Sequence, residues 1–297
     1  MNALILITLL ILSLVRAEAA SPELLVPAGT SGWTDPVISR DGLKIAFTNA
    51  SQYEIRVQIL GEDSTRQVMF NPGVGRRFIF EPGVADRIVY RRHIQAVPGK
   101  PERLLSVSIY IMDPIPLTSN RDSTIFGPYL IDNRVWYRDS LTGPFLDVNG
   151  KVRLAGPYLD SKSGELRVLD LAGKTVFTSS PPQKFGAMEI SPDGQWVAAV
   201  QTEPALELFV VNVPNGTVLT VNSAADPGWS GQSLSVVCVR RQPSGVHELF
   251  RMHLPDGHGE AVFSAPDFDP ETPVLNVDGS KVVFVSKGAI YGLDLAP

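Results

Sequence analysis

One short sentence is written three times along this chain. "VISRDGLKIAFT" runs from Val37 to Thr48, "EISPDGQWVAAV" from Glu189 to Val200 and "VLNVDGSKVVFV" from Val274 to Val285. Each copy sets Asp-Gly between two short apolar runs. The aspartate side chain caps its own turn, and the glycine supplies the positive φ that a tight reversal needs. Pro192 presets φ at the first turn position. Each copy therefore reads as the tip of a β-hairpin. Beyond the tip, Ile45 to Phe47, Trp196 to Val200 and Val282 to Val285 are almost wholly apolar. Such runs suit strands buried on both faces.

Worn copies fill the intervals. "FIFEPGVADRIVYRR" (Phe78 to Arg92), "GPYLIDNRVWYRD" (Gly127 to Asp139) and "DPGWSGQSLSVVCV" (Asp226 to Val239) keep a turn before an apolar strand. Turns near 41, 86, 132, 193, 231 and 278 lie 45, 46, 61, 38 and 47 residues apart. A period of about 40–50 residues signals a propeller. Third strands recur too, as in "YEIRVQIL" (Tyr53 to Leu60), "LELFVVNV" (Leu206 to Val213) and "HELFRMHL" (His247 to Leu254), and a turn and a short fourth strand follow most of them.

The expected fold is all-β: a six-bladed β-propeller of four-stranded blades, in one domain over 21–297. The blades are placed at about 33–69, 76–118, 124–178, 186–220, 226–263 and 271–297 plus 22–28. The last unit stops after its third strand, so "PELLVPA" (Pro22 to Ala28) is expected to supply its outer strand and close the ring. The 61-residue interval holds Asn149-Gly150 between apolar runs, read as a hairpin inserted between Ser140 and Ser163. A seventh blade there is the alternative.

Residues 1–20 are a different material. Ala3 to Val15 is an unbroken apolar or small run ending at Arg16 and Ala17-Glu18-Ala19-Ala20. It is shorter than the roughly 20 residues of a membrane span and fits a secretory signal peptide. A periplasmic or secreted protein is expected, membrane-bound only if that segment stays uncleaved. The single cysteine, Cys238, lies in the strand-like "LSVVCVR" and reads as a buried thiol. A net charge of −5 gives no sign of nucleic-acid binding.

The pattern Pro-x-apolar-Ser-x-Asp-Gly-x-x-apolar-Ala-Phe is carried by Pro36 to Phe47, Met188 to Ala199 and Pro273 to Phe284. It resembles the WD40-like (PD40) repeat of TolB-type propellers. That resemblance implies a six-bladed propeller exported across the inner membrane. TolB's preceding α/β domain has no counterpart before Trp33, so only the propeller portion is carried over.

No Gly-x-Ser-x-Gly nucleophile elbow is present, since "GTSGW" (Gly29 to Trp33) is out of register. His247, His253 and His258 crowd one segment, but a six-residue strand spacing holds the first two about 20 Å apart. They and His93 read as solvated. No catalytic or metal residue is assigned and no cofactor is expected. The acidic "PDFDPET" (Pro266 to Thr272) is the one place for a weak calcium site. Asn49-Ala50-Ser51 and Asn215-Gly216-Thr217 match glycosylation acceptors by chance.

Loops sort onto two faces. The longer connections rise on one face, together with Trp33, Arg76, Arg77, Arg91, Arg92, Arg121, Arg240 and Arg241. This basic rim is the expected binding surface, its partner a protein or an anionic glycan of the cell envelope. A non-enzymatic binding module is the first reading. A propeller lyase or hydrolase with carboxylates or calcium in its channel is the second, and a structural envelope subunit the third.

Overall fold

The computed structural model describes all residues except 1–20, 71–73, 85, 93–102, 112, 120–124, 161–162, 181–182 and 296–297. The described residues form strands and no helix. Blade 1 contains β2 (Trp33–Ile38), β3 (Lys44–Asn49), β4 (Glu54–Ile59) and β5 (Thr65–Phe70). Blade 2 contains β6 (Val74–Phe80), β7 (Arg87–Arg92), β8 (Arg103–Ser108) and β9 (Ile115–Pro116). Blade 3 contains β10 (Phe126–Ile131), β11 (Arg134–Arg138), β12 (Phe145–Asp147) and β13 (Val152–Arg153). Blade 4 contains β14 (Gly156–Leu159), β15 (Leu166–Leu169) and β16 (Thr175–Thr178). Blade 5 contains β17 (Lys184–Ile190), β18 (Trp196–Glu203), β19 (Glu207–Asn212) and β20 (Val218–Asn222). Blade 6 contains β21 (Ala224–Trp229), β22 (Ser235–Arg241), β23 (His247–His253) and β24 (Gly259–Ser264). Blade 7 contains β25 (Pro270–Leu275), β26 (Lys281–Ser286) and β27 (Ala289–Asp294), with β1 (Glu23–Val26) at its outer edge.

The propeller therefore has seven blades, which overturns the expectation of six. Among the described residues, six sheets have four strands and one has three. The 61-residue interval is not an insertion. Its Asn149-Gly150 hairpin is the outer pair of blade 3, β12 and β13, and the segment runs on into β14 of the extra blade.

The physical reason lies in what blade 4 lacks. The other six blades each begin with a hairpin of the repeated type; blade 4 begins directly at β14 and has no such inner hairpin. Blades 3 and 5 meet across its inner end. The Asp132 amide donates to the Pro192 carbonyl over 2.7 Å, and Arg153 joins Asp132 at 2.8 Å and the Gly194 carbonyl at 2.9 Å. Arg138, 1% exposed, occupies the edge of β14 in place of a strand. Its guanidinium donates to the carbonyls of Pro157 (2.7 Å), Leu141 (2.8 Å) and Gly143 (2.7 Å). It also lies 4.6 Å from the centre of the Phe145 ring and 4.8 Å from that of Tyr158. Burial pulls the Arg138 pKa down, the cost of holding a cation there.

The repeated turns are built alike. Ser39 Oγ donates to Asp41 Oδ1, which accepts from the Leu43 amide, while Ser39 Oγ accepts from the Lys44 amide. Ser191, Asp193, Gln195 and Trp196 repeat this arrangement, and in the last blade the Asn276 amide oxygen replaces the serine hydroxyl. Burial works against ionisation of Asp41, but its hydrogen bonds from Ser39, Leu43 and Lys44 outweigh it and hold the pKa below the usual value.

Apolar clusters tie each blade to the next. One joins blades 1 and 2 through Val57 and Phe78; others join 2 to 3, 3 to 4 and 5, 5 to 6, and 6 to 7. Val26, Ile45, Phe47, Val283, Val285 and Ile290 join blade 7 back to blade 1. β1 pairs antiparallel with β27, Glu23 opposite Gly292 and Leu24 opposite Tyr291, so the N-terminal segment supplies the outer strand of the last blade. The ring closes without an open blade at its seam.

Candidate functional site in the central channel

Six inner strands surround the axis: β2, β6, β10, β17, β21 and β25. Each breaks register with its neighbour near its entry, between Thr34 and Val37, Val74 and Phe78, Phe126 and Tyr129, Phe185 and Met188, Ala225 and Gly228, and Glu271 and Val274. Four of these breaks contain a residue before proline with positive φ: Asp35 at 51°, Gly127 at 120°, Asp226 at 51° and Thr272 at 44°. Such bulges re-aim side chains, and left-handed backbone at non-glycine residues stores strain that gathers at functional sites.

A cavity of about 370 Å³ lies between these entries. Asp35, Arg77, Tyr129, Glu189, Asp226 and Thr272 bring its polar groups, and Pro36, Pro128, Pro227, Pro273 and Trp229 much of its apolar wall. Arg77 of blade 2 forms an ion pair with Glu189 of blade 5, 112 residues away in sequence. Its guanidinium also lies 4.4 Å from the centre of the Tyr129 ring. The Trp229 indole N–H and the Thr272 hydroxyl are shielded from water with no hydrogen-bond partner among the described residues. A second cavity of about 650 Å³ adjoins it towards the Asp-Gly turns, walled largely by Ile38, Ile79, Phe80, Leu130, Leu275 and Val277.

Strand register places several of the expected rim residues at the same end of their blades as the polar cavity. Trp33 opposes Asn49, Arg92 opposes Val74, and Arg240 opposes Ala224. Arg240, Arg91 and Trp33 are engaged within the fold. Arg240 joins Glu248 at 2.5 Å and lies 3.9 Å from the centre of the Phe250 ring. Arg91 donates to the Ile125 carbonyl. Trp33 is part of the seam: its indole donates to the Pro27 carbonyl at 2.9 Å and its ring packs edge-on against Phe47. Arg241 is exposed at the end of β22, and Arg76 lies on β6. Arg121 falls outside the described residues, as do His93 and the connection after Arg92. Of the rim residues whose side chains are described, Arg77 lines the channel.

The channel residues that sequence reading did not single out are Asp35, Tyr129, Glu189, Trp229 and Thr272. A signal for three of the bulges was present. Pro36, Pro227 and Pro273 each stand five residues before the third position of the next turn, at Asp41, Gln232 and Asp278.

Among the described residues, no three His, Cys, Asp or Glu side chains converge as a metal site. His247 Nδ1 lies 2.5 Å from Asp269, and His253 lies 3.2 Å from Glu260 with its ring stacked on His258. In the acidic connection, burial and the charges of Asp269 and Asp226 push the Glu271 carboxyl above its ordinary pKa.

Cys238 is buried between blades 5 and 6, and burial pushes its thiol up to about 12. A thiol held protonated there is a poor nucleophile. The native protein is expected to react with Ellman's reagent at least a hundredfold more slowly than the urea-unfolded chain, on the order set by two pKa units or more of lost thiolate. Comparable rates would show that the site opens readily.

No protein-family model and no curated protein matches the chain. Solved structures do. A structure assigned as TolB from Agrobacterium tumefaciens is 13% identical, with a TM-score of 0.51 over 91% of this chain and 92% of that one. An oligogalacturonate lyase in complex with manganese is 13% identical, with a TM-score of 0.51 over 89% and 78%. The β-propeller domain of Cps50 (Swd1) from Myceliophteria thermophila is 9% identical, with a TM-score of 0.59 over 93% and 100%. At these identities the likeness is one of fold, and the fold shared by all three is the β-propeller.

Proposed function

We propose that this protein is an exported binding module that receives a segment of a partner protein in its central channel, from the end where the polar cavity lies. The observation that carries this reading is the make-up of the channel. Proline, aliphatic and aromatic walls surround a small set of polar groups, the pattern of a pocket that takes apolar side chains and fixes them with a few polar contacts. A glycan would call for a denser array of donors and acceptors. Arg240 is paired with Glu248 and Arg91 is held by the Ile125 carbonyl, which favours the channel over these two blade-end positions as the point of recognition. Export is supported by the leader-like run from Ala3 to Val15.

Site-specific photo-crosslinking tests this. A photoreactive phenylalanine analogue in place of Tyr129, on the channel wall, is expected to yield a protein adduct in cell-envelope fractions. The same residue in place of Leu171, 69% exposed on blade 4, is expected to give none. Adducts from position 171 but not from 129 would overturn the reading.

A further inference from the structure

We infer that Arg77 is the receptor for a carboxylate on the bound segment, and that Glu189 occupies that receptor until the segment arrives. This rests on the reading of the channel as a protein-binding site. The guanidinium is oriented by Tyr129, 4.4 Å from the ring centre, and faces a cavity of about 370 Å³. Its partner stands on β17, with β10 between the two on the ring of inner walls, so the ion pair spans the β10 wall inside the channel. Two further donors among the residues lining the cavity, Trp229 Nε1 on β21 and Thr272 Oγ1 on β25, have no acceptor among the described residues. Buried donors are almost always paired in a completed site. An incoming carboxylate would take over the Arg77 guanidinium from Glu189. Asp35 and Asp226 line the same cavity and set a negative background that discriminates against anions unable to reach the guanidinium. Both members of the pair are partly exposed, 27% and 30%, so exchange of one carboxylate for another needs no unfolding.

The test uses the whole protein, Glu189→Gln and Arg77→Gln variants, and three probes: the blocked peptide Ac-Leu-Glu-Leu-NH2, its Leu-Gln-Leu counterpart, and digalacturonate. Binding is followed by isothermal titration calorimetry. E189Q is expected to bind the acidic peptide about tenfold more tightly than wild type, the size of one relieved ion-pair competition, and R77Q to lose it. The neutral peptide should bind all three proteins weakly and equally. Because E189Q should gain affinity, misfolding cannot imitate the expected result. Equal binding of both peptides to every variant would overturn the carboxylate receptor while leaving the peptide channel standing. Arg77-dependent binding of digalacturonate alone, or of no probe, would overturn both.

Discussion

Replacing Arg138 with leucine is expected to remove about 3–5 kcal/mol of folding stability, although the side chain touches nothing in the channel. Its guanidinium serves the carbonyls of Leu141, Gly143 and Pro157. Leucine would leave the Pro157 and Gly143 carbonyls without this donor, each costing about 1–3 kcal/mol when unpaired, while the Leu141 carbonyl keeps the Leu159 amide. Better burial of the leucine side chain offsets part of that loss. At about 2 °C per kcal/mol for a domain of this size, the thermal midpoint should fall by roughly 6–10 °C. Arg138→Lys should recover little, because an ammonium group lacks the planar fork that reaches all three carbonyls. Urea unfolding of wild type and both variants provides the measurement. A leucine variant within about 1 kcal/mol of wild type would mean that the edge of β14 is satisfied without the guanidinium.

Val26→Asp should be comparably severe, at about 3–5 kcal/mol, through a different route. Val26 is 2% exposed and packs with Ile45, Phe47, Val283, Val285 and Ile290 at the junction of the first and last blades. An aspartate there must either ionise without a partner or shift its pKa far upward, and the unfolded chain faces neither cost. Detachment of β1 would also bare the backbone edge of β27, a template for pairing with other chains. The expected signature is a lowered thermal midpoint together with concentration-dependent association in size-exclusion chromatography. Val26→Ala, which only trims a buried side chain, should cost about 1–3 kcal/mol and leave the protein monodisperse. A V26D variant that melts with wild type would remove β1 from any role in closure.

These two sites also mark how much of the molecule was legible beforehand. The Asp-Gly turns at 41, 193 and 278 announce hairpins through local chemistry, and the structure places an inner hairpin at each. Blade 4 has no such announcement. Its inner edge is completed by the side chain of Arg138 and by loop backbone, which leave no period in the sequence. Counting turns therefore counted inner hairpins, and the seventh sheet was absorbed into the long interval. The surroundings of the rim arginines were hidden for a related reason. Their charge was visible, but partners such as Glu189 and Glu248 lie on other strands, and pairing between strands cannot be seen from a run of residues. Glu189 in particular sits inside the best-preserved repeat, where it reads as scaffold.

The short sheet leaves the molecule with seven sectors at its circumference and six walls at its lumen. Outer girth and bore are thereby uncoupled: length added to or trimmed from blade 4 would reshape the rim while the bore keeps its diameter. The bore also loses rotational symmetry at the point where blades 3 and 5 adjoin, so an elongated guest meets a different wall in every direction and has one azimuth in which to sit.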